Sequence, residues 1–239
     1  MLRRPLFVFL FCLSAHFITA QTEDLGSWMT FSIDKNIFRK LDFNFDQELR
    51  LKNNFSTINL YYTNLGLSYK FNKYFRLATV YRFIGKQKND ATYGFRNRFY
   101  TDLIFKYKLK KFTFGYRARF QGEWRKTGYY SDLGNMPEIF IRNLFKVSYK
   151  VGEKWSPYVA TELRWQIQNP RLPWGNGFDR SRFYVGTSYE INKRMSAGSY
   201  FLLQKEWNVN DPQTLYIIGL EFGLSFDKQL IPYADKHME

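Results

Sequence analysis

The feature that leaves this chain the fewest options is an alternation of apolar and polar residues that stops repeatedly at an aromatic ring, followed by a short turn containing lysine. Five copies stand out: Ser68-Tyr69-Lys70-Phe71-Asn72-Lys73, Lys106-Tyr107-Lys108-Leu109-Lys110-Lys111, Ser148-Tyr149-Lys150-Val151-Gly152, Ser188-Tyr189-Glu190-Ile191-Asn192-Lys193 and Ser225-Phe226-Asp227-Lys228. Tyr69, Tyr107, Tyr149, Tyr189 and Phe226 lie 38, 42, 40 and 37 residues apart, and Ser32-Ile33-Asp34-Lys35 is a weaker upstream copy. That spacing fits one down-and-up pair of strands with its loop, so the rings recur at one height on one face. A transmembrane β-barrel builds an aromatic belt in this way, because an amphipathic ring favours the boundary between hydrocarbon and headgroups.

Eleven strand candidates follow, near 28–33, 40–51, 58–71, 74–84, 93–109, 112–124, 138–151, 157–167, 180–191, 195–207 and 214–226. In the clearest, 40–51, Leu41, Phe43, Phe45, Leu49 and Leu51 alternate with Asp42, Asn44, Asp46, Glu48 and Arg50. A helix would scatter those charges around its whole surface, whereas a strand gathers them on one face. Connections after the tyrosine repeats are tight, and segments 125–137 and 168–179 at the other ends are long. Bacterial outer-membrane barrels show this same asymmetry. Trp124, Trp165 and Trp207 fall near the long-loop ends, as a second girdle would. The count is awkward, since such barrels normally have an even number of strands. Residues 21–27 are too few for a full partner strand, so the expectation is either ten strands, with the first segment partly outside the wall, or twelve, with an irregular piece added.

Composition agrees with a wall that is oily on one side and wet on the other. Aromatics make up 21% of the chain, yet the mean hydropathy is −0.45, and no apolar run of helical spanning length follows residue 20. Residues 1–20 read as a secretory signal: Arg3 and Arg4 precede the apolar run 6–13, and Ala20 offers a cleavage point. A membrane anchor is the rival reading, but the run is short of the ~20 residues that a helix needs to span. Cys12 lies inside this segment, so the mature chain has no thiol for disulfides or metal sites. It carries 34 basic against 21 acidic residues. Export and the interleaving of the bases with Phe and Leu argue against nucleic acid as the partner.

Alternation alone does not say which face is inside, because a secreted lipocalin-type barrel would invert the arrangement. Tyrosines aligned at one end favour lipid outside and charge inside. The luminal wall then has a basic side, with Arg76, Arg82, Arg96, Arg98, Arg117, Arg119, Arg142 and Lys146, and an acidic side, with Asp42, Asp46, Glu48 and Glu162. Two outcomes are open. The charges fill a narrow barrel as a salt-bridged interior, or the arginine ladder lowers the barrier for phosphate, carboxylate or acidic sugars in a narrow anion-preferring pore.

Catalysis is not expected. Barrel hydrolases need a proton acceptor near neutral pH, usually histidine, and the two histidines here are His16, in the signal, and His237, in the polar tail 227–239. Asp46 and Glu48 share a face but read as wall charges. No metal-ligand cluster or phosphate loop appears, Trp174-Gly175-Asn176-Gly177 reads as a turn, and no cofactor is expected.

The Trp28-centred first strand, Glu48-Leu49-Arg50, Gly66-Leu67-Ser68-Tyr69-Lys70 and Tyr81-Arg82-Phe83 together resemble an exported family known as domain of unknown function 2490, over nearly all of residues 25–226. The resemblance implies an outer-membrane β-barrel of a Gram-negative bacterium, and it transfers no catalytic or binding residue. The last strand also resembles the aromatic-ended signal read by barrel assembly machinery, although thirteen residues follow it. The expected fold is therefore all-β: a monomeric, antiparallel up-and-down transmembrane barrel over 21–226, of about 10–12 strands. Its expected setting is the outer-membrane bilayer, with small anionic solutes as candidate cargo. A closed structural barrel, or one that binds a partner through its long loops, is the competing class.

Overall fold

The computed structural model describes residues 22–88, 90–125, 136–170, 176–209 and 211–227. The expected signal segment 1–20 with Cys12 and His16, most of loops 125–137 and 168–179, and the tail beyond Asp227 with His237 lie outside the described residues. Eleven strands close into one barrel: β1 (Thr22–Phe38), β2 (Leu41–Lys52), β3 (Thr57–Lys70), β4 (Phe75–Gln87), β5 (Tyr93–Leu109), β6 (Phe112–Arg125), β7 (Glu138–Tyr149), β8 (Trp155–Gln168), β9 (Gly177–Glu190), β10 (Met195–Glu206) and β11 (Gln213–Ser225).

The strand number is eleven, inside the expected 10–12, and the ring is odd. Consecutive strands pair antiparallel ten times, and the ring is completed by a parallel pair, β1 with β11, in continuous register from Thr22 opposite Gln213 to Asp34 opposite Ser225. The reason is directional. Ten successive reversals leave the eleventh strand running the same way as the first, so an odd ring can close only in parallel. Residues 22–27 do not form a separate piece. They extend β1 to 17 residues, which gives it the length to match β11 along the whole seam. The expected purely antiparallel barrel is corrected accordingly to a mixed one.

The tight turns repeat their chemistry as well as their spacing. The Asn72 side-chain oxygen accepts from the backbone N–H groups of Tyr74 (2.8 Å) and Phe75 (3.0 Å), and Asn192 does the same for Arg194 (2.8 Å) and Met195 (2.9 Å). An Asn oxygen that holds two N–H groups substitutes for a backbone turn. Gly152 takes φ +61° in the β7–β8 turn, a left-handed conformation that costs glycine little.

Side chains alternate across the wall as a strand requires. Asp42, Asn44, Asp46 and Glu48 of β2 are buried toward the axis, while Leu65, Leu67, Phe99, Phe105, Phe120 and Phe145 on neighbouring strands are exposed outside. Outer rings form a continuous stack around the wall: Phe75 on Phe105 (4.8 Å between centroids), Phe105 on Tyr116 (6.3 Å) and Tyr116 on Phe145 (4.8 Å). The repeat aromatics sit at the short-turn rim beside further rings, with Tyr69 against Phe71, Tyr107 against Tyr74, Tyr149 against Phe112 and Tyr189 against Trp155, while Phe226 is exposed just after β11. At the other rim Trp124 and Trp165 are exposed and Trp207 packs on Phe178.

The interior is not purely polar, contrary to the division of faces read from the sequence. Trp28, Tyr158, Ala160, Tyr200, Leu202 and Ile217 form one buried apolar cluster, and Ala78, Ile104 and Leu144 a second, both touching Tyr184. A narrow ring leaves room for such side chains, and packing them fills space that charges alone would leave wet. The Tyr200 ring lies flat on Gly219, where any Cβ would overlap it.

Candidate functional site

A staircase of cations and rings climbs the inner wall from β1 to β6. The Arg50 guanidinium lies over Trp28 (3.5 Å to the ring centroid), Arg82 over Tyr62 (3.6 Å) and Arg119 over Tyr100 (3.6 Å). Longer contacts link Arg50 to Tyr62 and Arg82 to Tyr100, both at 5.4 Å. After Trp28 and Arg50, which are register partners, each step goes to a diagonal neighbour. Arg50 faces Leu60, two residues from Tyr62, and Arg119 faces Asp102, two residues from Tyr100. Diagonal contact of this kind is within reach of long side chains on one face of a sheet. A guanidinium over an aromatic face is held by the ring quadrupole, more strongly where water is excluded.

From β6 onward carboxylates replace the rings. Arg119 makes a two-pronged bond to Asp102 (2.7 Å each), both residues being fully buried. Glu162 accepts from three arginines: Arg117, Arg142 (2.7 and 2.9 Å) and Arg182 (3.1 Å). Arg142 also reaches Gln121 (3.3 Å), and Arg182 bonds Gln204 (2.8 Å) and lies 5.1 Å from the centre of Trp28. These contacts form a belt that returns to β1.

Above the belt, toward the long loops, the ion pairs become less buried. Glu123 holds Arg96 (2.9 Å) and Arg98 (3.0 Å), Glu138 holds Arg125 (2.7 Å), Asp179 holds Arg164 (2.8 Å) and Glu206 holds Arg180. Below it the β2 acids are engaged: Glu48 by Thr30 (2.9 Å), Tyr62 and Arg50, Asp46 by Asn64 (3.1 Å) and Asp42 by Lys70 (2.8 Å). Arg76 is half-buried on the inward register of β4 near the short turns, away from the rest, and Lys146 rests its ammonium 3.8 Å from the centre of the Tyr158 ring.

From the belt toward the loops opens a cavity of about 440 Å³ that also reaches Lys146, Tyr158 and Glu221 below the belt, and its lining draws on all eleven strands. It is bounded by twelve lysines and arginines but only five acids, Glu123, Glu138, Asp179, Glu206 and Glu221. The described residues contain no group of three or more His, Cys, Asp or Glu placed to hold a metal.

Of the basic residues named from the sequence, Arg82, Arg96, Arg98, Arg119, Arg142 and Lys146 line this cavity, whereas Arg76 and Arg117 do not. The acids Asp42, Asp46, Glu48 and Glu162 lie below or within the belt. Sequence reasoning put Arg50 on the polar face of its strand without counting it in the basic wall, and it missed Lys86, Arg164, Arg180 and Arg182, although each shares strand parity with a charge it did note or with another of this set. It placed Trp28, Tyr62 and Tyr100 on neither face. Tyr100 shares the parity of Arg96, Arg98 and Asp102, and that shared parity is the signal that marks it as inward.

No curated protein matches the chain. Among solved structures, a bacterial polysaccharide outer membrane secretin aligns with 12% identity over 80% of this chain and 77% of that one, with a TM-score of 0.42. The model of the family described as "Protein of unknown function (DUF2490)" matches residues 25–214. The chain therefore belongs to the DUF2490 family.

Proposed function

We propose that this protein resides in the outer membrane as a β-barrel and acts without catalysis, as a narrow anion-preferring passage. The observation that carries this reading is the excess of cations around the cavity: twelve lysines and arginines line it against five acids, or eight once Glu48, Asp102 and Glu162, which hold four of those arginines in the belt, are included. A low-dielectric wall focuses such a field, concentrating anions and repelling cations at the mouth. The belt supports a low conductance, since its buried arginines are tied to carboxylates and rings. The exposed outer band of Phe, Leu and Tyr supports the membrane setting, and the aromatic end of β11 fits a chain handled by barrel assembly machinery.

Planar-bilayer recording of the purified protein tests the passage. Small, anion-selective currents are expected, and Arg96→Ala combined with Arg98→Ala, both in the cavity wall, should shift the reversal potential toward cations. No current, or a cation-selective current indifferent to those changes, would refute it. One observation favours a second reading, a closed scaffold that binds a partner through loops 125–137 and 168–179. Arg119 with Asp102, and Glu162 with its three arginines, tie up the cations in the middle of the barrel, so that none of them is held open for a solute. On that reading loop deletion abolishes partner binding, leaves the barrel assembled, and no current is seen at any voltage.

A further inference from the structure

Lys86 occupies the inward register near the end of β4, at the long-loop side of the cavity. Among the described residues it makes no ion pair. Three arginines, Arg96 on β5, Arg180 on β9 and Arg125 on β6, act on it more strongly than the one carboxylate that does, Glu123 on β6. Strands β4 and β9 stand on opposite sides of the ring, so cations from facing walls converge on one place. Like charges gathered in a low-dielectric mouth repel strongly, and the carboxylates present do not cancel them. Lys86, Arg96, Arg98, Arg125 and Arg180 carry five positive charges, whereas Glu123, Glu138 and Glu206 supply three negative ones. Two positive charges are left over. The arginines are aimed by their acids and Lys86 is not, so the arrangement is ready for a ligand that brings two negative charges and several acceptor oxygens.

We propose that a soluble dianion of the phosphate or phosphomonoester class binds at this mouth, held by Lys86, Arg96, Arg125 and Arg180. The proposal rests on the anion-passage reading and adds a ligand class to the same lumen. Its nearest alternative source is the phosphate of a lipid reaching over the rim.

The test uses the folded full-length mature barrel in detergent, with inorganic phosphate as the probe. Phosphate should bind at one site and raise the unfolding temperature, sulfate should compete, and chloride at the same concentration should not. Lys86→Gln should weaken phosphate binding at least tenfold. It removes a repulsion, so in phosphate-free buffer it should melt no lower than the wild type, with Lys86→Met as a second variant of the same kind. Lys73→Gln, at the opposite rim, should bind as the wild type does. Absence of phosphate binding, equal binding by both Lys86 variants, or binding only of a phosphatidic acid lipid doped into the micelles would overturn the proposal. Chloride currents without phosphate binding refute the site and leave the passage standing. Phosphate binding without any current refutes the passage and leaves the site.

Discussion

Glu162 is the residue on which most of the interior depends. One carboxylate, 2% exposed, serves Arg117, Arg142 and Arg182, which come from three different strands. Burying four charges costs much desolvation, and the cluster persists only because attraction and hydrogen bonding offset it. Glu162→Gln keeps the shape and removes the charge, which leaves three buried guanidinium groups against a neutral amide. A loss of about 3–5 kcal/mol is the usual consequence of removing one partner from a buried ion pair, and three donors on one acceptor place this site at the upper end. Denaturant unfolding of the variant in detergent should show a clearly lower midpoint; an unchanged midpoint would mean that the arginines hold one another apart through water instead. Glu162 was legible in the sequence as an inward acid, because strand parity fixes the face. Its three partners were not, since contacts across a barrel depend on diameter and stagger, which no single strand encodes. Trp28 was hidden for another reason. A tryptophan near an interface ordinarily faces lipid, and here Arg50 and the apolar cluster with Tyr200, Leu202 and Ile217 make an inward ring favourable.

At the scale of the strand, the sequence located almost every element to within a few residues, as at 93–109, where its bounds and those of β5 coincide. Alternation and turn chemistry are local properties, so they survive without an alignment. Closure is not local. The direction of β1 and β11 followed from counting reversals, but the expectation of an even ring outweighed that count. A parallel pair is slightly weaker per residue than an antiparallel one, and here it runs the whole height of the wall. Met29 and Leu220 are register partners on the outer face of this seam, both exposed. In a polypeptide that starts at Gln21, and so lacks Cys12, the one cysteine of the sequence, Met29→Cys with Leu220→Cys should oxidise to a single intramolecular disulfide, seen as a mobility shift on a non-reducing gel. Met29→Cys with Leu224→Cys, four residues out of register, should not. Cross-linking of the second pair in preference to the first would show that the seam is slipped or open.

For the molecule as a whole, an odd strand number puts the beginning of β1 at the long-loop rim and the end of β11 at the short-turn rim. Aromatics gather at both rims, apolar side chains cover the band between them, and ion pairs fill the middle. Contiguous exposed apolar surface marks an interaction site on most proteins, and a band of this kind supports the bilayer setting proposed above. The most direct test is to refold the leaderless mature polypeptide in parallel with and without detergent, following β-sheet signal and heat-modifiable gel mobility. A compact barrel that forms only with detergent or lipid is the predicted result; a stable, monomeric, folded protein in plain buffer would contradict it.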